Sequence, residues 1–222
     1  MVAAHQMLEG LLGRSLGQTL EEISQLQPPT AGGSSAALAG ALAAALTSMV
    51  ARSARERWDD AGGVIAQAEA LRARLCALVA SDAEAYGQAR SLLLGSGQDR
   101  ERRGIAAAPE LGTREQEQRD RELACALAAA AAEPVAIAEA TANVAALAAW
   151  TAEAGGADER ADAIVAVCLA EAAACGAAQL VLANLAVRPA DELATRARAA
   201  ARVAAESRER ALAGDRAYAT TR

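Results

Sequence analysis

Two carboxylates, one glycine-rich helix start and a group of arginines carry the chemistry this 222-residue chain can offer. The run Pro28-Pro29-Thr30-Ala31-Gly32-Gly33-Ser34-Ser35 ends one helical pattern and opens the next. A helix start at Gly32, Gly33 and Ser34 presents backbone N–H donors to a carboxylate, a phosphate or a polarised ring atom. An ordinary capped turn explains the same residues. Asp82 follows the three-four spacing of Leu75, Leu78 and Val79, which places a carboxylate on an apolar face. Such a group is either costly to bury or partly exposed and paired with an arginine. Asp162 falls in the first turn of a later helix, where the helix dipole alone favours it. Arg52, Arg55 and Arg57 close the helix that the glycines open.

The composition removes other chemistries. The sequence has no lysine, which excludes Schiff-base catalysis and a lysine-dependent phosphate loop. His5 is the one histidine and lies near a terminus, so a nucleophilic triad is not expected. Cys76, Cys125, Cys168 and Cys175 form no CxxC pair and read as buried reduced thiols rather than metal ligands. A net charge of −6 argues against a phosphate-facing nucleic-acid surface. What remains is carboxylate acid–base chemistry, with arginine as anion binder and without metal or cofactor.

The elements that must hold these groups are helices. Alanine, leucine, arginine and glutamate dominate, aromatic residues make up 2%, and hydrophobic residues make up 53%. The expected fold is all-α: an up-and-down bundle of six to seven long helices forming a single domain over residues 1–222. Helices are expected over about 4–26, 35–58, 61–94, 113–153 with a kink or break at Glu133-Pro134, 159–187, and from Arg188-Pro189 to about 210. The second is apolar on every side and reads as the central helix. The last is rich in Arg and Glu and reads as an exposed outer helix with ion pairs, each worth about a few tenths of a kcal/mol. The Arg-rich stretch 95–112 reads as a solvated loop or as a lid carrying Arg100, Arg102 and Arg103. Alanine faces bury little area, so a homodimer is expected. No uninterrupted apolar run of about 18 residues and no signal peptide is seen, which predicts a cytoplasmic protein without a membrane partner.

The run from Pro28 to Leu42, followed by Ser48-Met49-Val50, resembles the signature of the cyclodeaminase/cyclohydrolase family. Ser81-Asp82-Ala83-Glu84-Ala85-Tyr86 is similar to its Asp-x-x-Ala-aromatic segment. Glu133-Pro134-Val135, Glu153-Ala154-Gly155-Gly156, Asp162-Ala163-Ile164-Val165-Ala166 and Ala177-Ala178 with Asn184 follow in the family's order. Where the family carries a Gly-Lys pair after Met-Val, this sequence reads Ala54-Arg55-Glu56-Arg57-Trp58.

The resemblance implies a dimeric helical enzyme acting on the one-carbon unit of a tetrahydrofolate substrate. It implies hydrolysis of 5,10-methenyltetrahydrofolate to 10-formyltetrahydrofolate, with cyclodeamination of formiminotetrahydrofolate, or a binding protein that has lost the site, as alternatives. Asp162 or Asp82 would act as the base. Gly32, Gly33, Ser34 and Asn184 would line the substrate, and Arg52, Arg55 or Arg57 would hold its carboxylates.

Overall fold

The computed structural model describes residues 11–24, 32–94, 113–156, 159–186 and 190–219. Its helices are α1 (Leu16–Ile23), α2 (Gly32–Ser53), α3 (Ala61–Leu94), α4 (Thr113–Ala130), α5 (Ala132–Ala154), α6 (Arg160–Asn184) and α7 (Glu192–Ala219), with a 3-10 turn at Leu11–Gly13. No strand occurs among the described residues. The expected fold class is therefore what the chain adopts.

Local sequence sets several boundaries. The apolar stripe that suggested one long first helix is divided before α1. Ser15 caps α1 by accepting from the N–H of Gln18, whose side chain reaches back to the N–H of Ser15. Glu133-Pro134 begins α5 instead of kinking a longer helix, because proline is tolerated in the first turn of a helix, where its missing N–H costs nothing.

Helix α5 packs against α2, α3, α6 and α7, and α2 and α6 also pack against each other. Most of the buried core is alanine, with Leu75, Ile137, Val79, Val144 and Val167 as its larger members. Small side chains let the helix backbones approach closely. One such close approach is at Gly40, where an added Cβ would lie 2.4 Å from Thr141 Cγ2 and 3.2 Å from Leu75 Cδ1.

Two expectations are corrected. Helix α7 lies on the outside of the bundle, as expected, but it is not exposed throughout: its Arg- and Glu-rich side faces outward, while Ala194, Ala197, Ala200, Ala204 and Ala211 are buried against α5 and α6. Its arginines reach mainly to other helices, with Arg196 on Glu139 at 2.8 Å and Arg210 on Glu153 at 2.7 Å. Both acceptors lie on α5; along α7 itself Arg202 pairs with Glu206 at 3.7 Å. Arg210→Ala is expected to cost no more than about 1 kcal/mol by urea unfolding, because both partners are exposed.

The second correction concerns hydropathy. Helices α2 and α6 and the stretch Cys125–Ala154 are long and apolar enough to cross a membrane by length and composition. The sequence reading demanded an uninterrupted run, and Gly, Ser and Thr do not break such a window. In the bundle these helices bury much of that apolar surface on one another.

Candidate functional site

The start of α2 and the middle of α3 meet at Asp82. Ser34 Oγ lies 3.1 Å from Asp82 Oδ2 and 3.0 Å from the carbonyl oxygen of Val79, and it can donate its one proton to either. The Ser34 N–H also donates to the Asp82 carboxylate. Asp82 is 5% exposed and, among the described residues, pairs with no arginine. The expected free N–H donors of the Gly-Gly-Ser turn are thus in part engaged by a carboxylate from 48 residues further along the chain. Gly33 makes this possible: a Cβ there would sit 2.1 Å from Asp82 Oδ1. Gly33→Ala therefore expels the carboxylate. It is expected to cost about 1–3 kcal/mol by thermal unfolding and to remove whatever function Asp82 performs.

Burial pushes the Asp82 carboxyl above the ordinary aspartate range. The two hydrogen bonds from Ser34 pull it back, and the negative charge of Glu133 adds to the upward shift. Glu133 itself accepts from Ser81 Oγ at 2.8 Å. Two carboxylates from α3 and α5 therefore share this end of the bundle, and one of them tends to keep its proton. The sequence reading took Glu133-Pro134 as a kink or break and as a family-like segment, without a role for the Glu133 side chain; the signal missed was an acidic residue in the first turn of a mostly apolar helix. Ser34→Ala removes a bond that favours the charged form. Any rate that depends on Asp82 is then expected to shift its titration to higher pH, which a pH–rate profile would read.

Of the other candidates, Asn184 lies at the same end as Asp82. It closes the last turn of α6, one turn after Leu180, whose Cδ1 lies 3.5 Å from where a Cβ on Gly32 would be. The rest lie at the far end. Asp162 is exposed in the first turn of α6. Arg52 donates to Glu69 at 3.1 Å. Glu69 is held down at about 2, first by Arg72, then by Ser48 and Arg52. Arg57 donates to Glu159 at 2.9 Å, beside Gly156. Arg55 is exposed in the turn after α2.

The two ends are well separated. Eighteen residues part Ser34 from Arg52, and as many part Asp162 from Leu180, which is about 27 Å of helix in each case. One chain therefore does not bring Asp82 and Asp162 together. The stretch 95–112, with Arg100, Arg102 and Arg103, lies outside the described residues, as does His5.

Sequence reading also missed Arg160. It donates to the carbonyl of Ala152 at 2.5 Å, in the last turn of α5, and to that of Ala211 at 2.7 Å. It thereby ties the start of α6 to α5 and α7. Trp58 and Trp150 stack edge to face, with centroids 5.1 Å apart. An open groove of about 640 Å³ between α3 and α5 is lined by Leu71, Arg74, Asn143 and Trp150 among others, and includes none of the predicted site residues. Among the described residues, no three His, Cys, Asp or Glu side chains gather in a way that could hold a metal.

The arrangement at Asp82 can do one thing well. A shielded carboxyl, kept from ionising freely and fixed by Ser34 at a helix N-terminus, can take a proton and give it back. No curated protein sequence matches the chain. A solved structure with this fold is the formiminotetrahydrofolate cyclodeaminase of Thermotoga maritima. It is 20% identical, with a TM-score of 0.70 over 89% of this chain and 93% of that one. The family profile described as formiminotransferase-cyclodeaminase matches residues 15–203. A match over that much of the sequence places this chain in the formiminotransferase-cyclodeaminase family.

Proposed function

We propose that this protein is a cytoplasmic formiminotetrahydrofolate cyclodeaminase, with Asp82 as its proton carrier. The supporting observation is the buried Asp82 carboxyl, raised in pKa and held by Ser34 at the start of α2. Ring closure of a protonated 5-formimino group forms a bond from N10 to the formimino carbon. It breaks the bond from that carbon to the departing nitrogen. One proton moves from N10 to that nitrogen, which leaves as ammonia, and the 5,10-methenyl cation remains. A single carboxyl can serve both halves of this transfer, as base toward N10 and then as acid toward the leaving amine. A raised pKa suits both roles near neutrality, since a fully ionised aspartate is a poor acid. The negative charge of Glu133, and that of Asp82 once it has given up its proton, also favour a cationic one-carbon unit beside them.

Hydrolysis of 5,10-methenyltetrahydrofolate to 10-formyltetrahydrofolate uses the same carbon, with the same carboxylate as base toward water. It is the second reading, favoured by the same cation-stabilising charge. The two are separated by supplying each substrate alone and following the methenyl absorbance. Appearance of the chromophore from the formimino substrate, with ammonia, supports the first reading. Loss of the chromophore from the methenyl substrate, faster than without protein, supports the second. Neither signal, with no folate binding, would mean that the fold has been kept without the chemistry.

A further inference from the structure

The groove between α3 and α5 stands apart from Asp82. The two helices run antiparallel, since Ser81 meets Glu133 at one end and Trp58 meets Trp150 at the other. Two stripes with the same three-four spacing line its open space of about 640 Å³. On α3 the stripe runs from Gln67 to Arg74, and on α5 from Asn143 to Trp150. Each stripe is about 10 Å long. Its middle is shaped by small side chains: Ala70 and Ala146 leave room above Leu71 and Leu147. Arg74 and Asn143 also line a neighbouring hollow of about 370 Å³ against α7, so they stand where the two spaces meet.

Arg74 has no counter-charge. Among the described residues it takes part in no hydrogen bond or ion pair, and neither does the Asn143 amide. The arginines around it are engaged: Arg52 and Arg72 hold Glu69, and Arg196 holds Glu139 at two points. Among the described residues that line either hollow, Glu139 is the one carboxylate. The groove is therefore positive on a chain whose net charge is −6. It has the volume of a small-molecule site, with an apolar slot and a few polar groups at one end to fix orientation.

We propose that this groove binds a small aromatic carboxylate. The guanidinium of Arg74 takes the carboxylate, because its paired N–H groups match the two oxygens. The Asn143 amide donates a further hydrogen bond to the same group. The ring system lies across Ala70 and Ala146, on the floor that Leu71 and Leu147 make. Its far edge meets the indole of Trp150, which Trp58 holds edge to face with centroids 5.1 Å apart. Two fused rings with one carboxylate fill the roughly 10 Å between the ends of the groove. A purely apolar occupant would leave Arg74 unpaired beside it, and inorganic phosphate would leave the alanine slot empty. The site is separate from the proton carrier. Asp82 lies about 12 Å along α3 from Arg74, and neither Asp82 nor Ser34 lines the groove. The inference does not rest on the folate reading.

Calorimetric titration of the purified chain with 2-naphthoate tests it, without any need for turnover. One site per chain with a Kd on the order of 0.1 mM is the expected result. The neutral counterpart 2-naphthamide should bind about tenfold more weakly or worse, a comparison that needs no variant. Arg74→Gln should weaken naphthoate binding by about tenfold or more. Arg72→Gln, which removes a neighbouring arginine engaged with Glu69, should leave it unchanged. Ala70→Leu fills the slot from an exposed position and should abolish binding, with the fold intact by circular dichroism. Asp82→Asn should bind as the parent does. Absence of binding by the parent, as when another copy of the chain covers the groove, would overturn the proposal. So would equal affinity for the amide, or full affinity in Arg74→Gln or Ala70→Leu. Loss of binding in a folded Asp82→Asn chain would place the acid at the site already described, and would overturn it too.

Discussion

Asp82→Asn is expected to lower ammonia release from 5-formiminotetrahydrofolate by about 10²–10⁴-fold, the range of a positioned acid–base group. Stability should change little. Asparagine has nearly the same shape, still accepts from Ser34, and does not charge inside the bundle. It loses one acceptor at the α2 start, worth about 1 kcal/mol. Against this stands the penalty that the parent pays at neutral pH. The folded-state pKa of Asp82 is raised, so its contribution to stability is fully present at pH below the ordinary aspartate range. It is lost as the pH rises through the raised value. Urea unfolding of the parent should therefore show this loss over that window, and the asparagine variant should lack it. An inactive variant that unfolds well before the parent at every pH would instead show Asp82 to be a structural cap for α2.

Gly40→Ala is expected to have the largest effect on stability, about 2–3 kcal/mol by urea unfolding, at the upper part of the overpacking range. The new methyl would stand 2.4 Å from Thr141 Cγ2. Thr141 cannot turn aside cheaply, because it is β-branched and its Oγ1 donates to the carbonyl of Ile137 at 2.7 Å. Helices α2 and α5 must separate, and the packing around Leu75 loosens with them. The cause can be isolated. Thr141→Ser removes the clashing methyl and keeps the hydroxyl, so adding it to Gly40→Ala should recover most of the loss. The two changes should be strongly non-additive in a double-mutant cycle. Additive losses would mean that the clash is relieved elsewhere.

Much of the architecture is legible in local pattern. Proline and glycine punctuation and three-four periodicity mark most of the helices, and the range of α3 falls where the spacing puts it. The inward position of Asp82 is also legible, because Leu75, Leu78 and Val79 share its face. Its partner is not. Ser34 is 48 residues away, and nothing local says that the glycine-rich turn of one helix receives a carboxylate from another. The same limit hid the α7 arginines, whose acceptors lie 57 residues back on α5. It also hid the division of the site: Gly32 and Arg52 open and close one helix, so proximity in sequence corresponds to distance in space. The buried stripe on one side of α7 was hidden as well, because alanine carries little hydropathy contrast against arginine and glutamate.

The most direct test of the central claim is a single-turnover experiment, with the purified chain in excess over 5-formiminotetrahydrofolate, following ammonia and the methenyl chromophore together. One ammonia released for each methenyl formed, faster than in buffer and lost in Asp82→Asn, is the expected result. Release at the buffer rate, or an unchanged rate in Asp82→Asn, would contradict it.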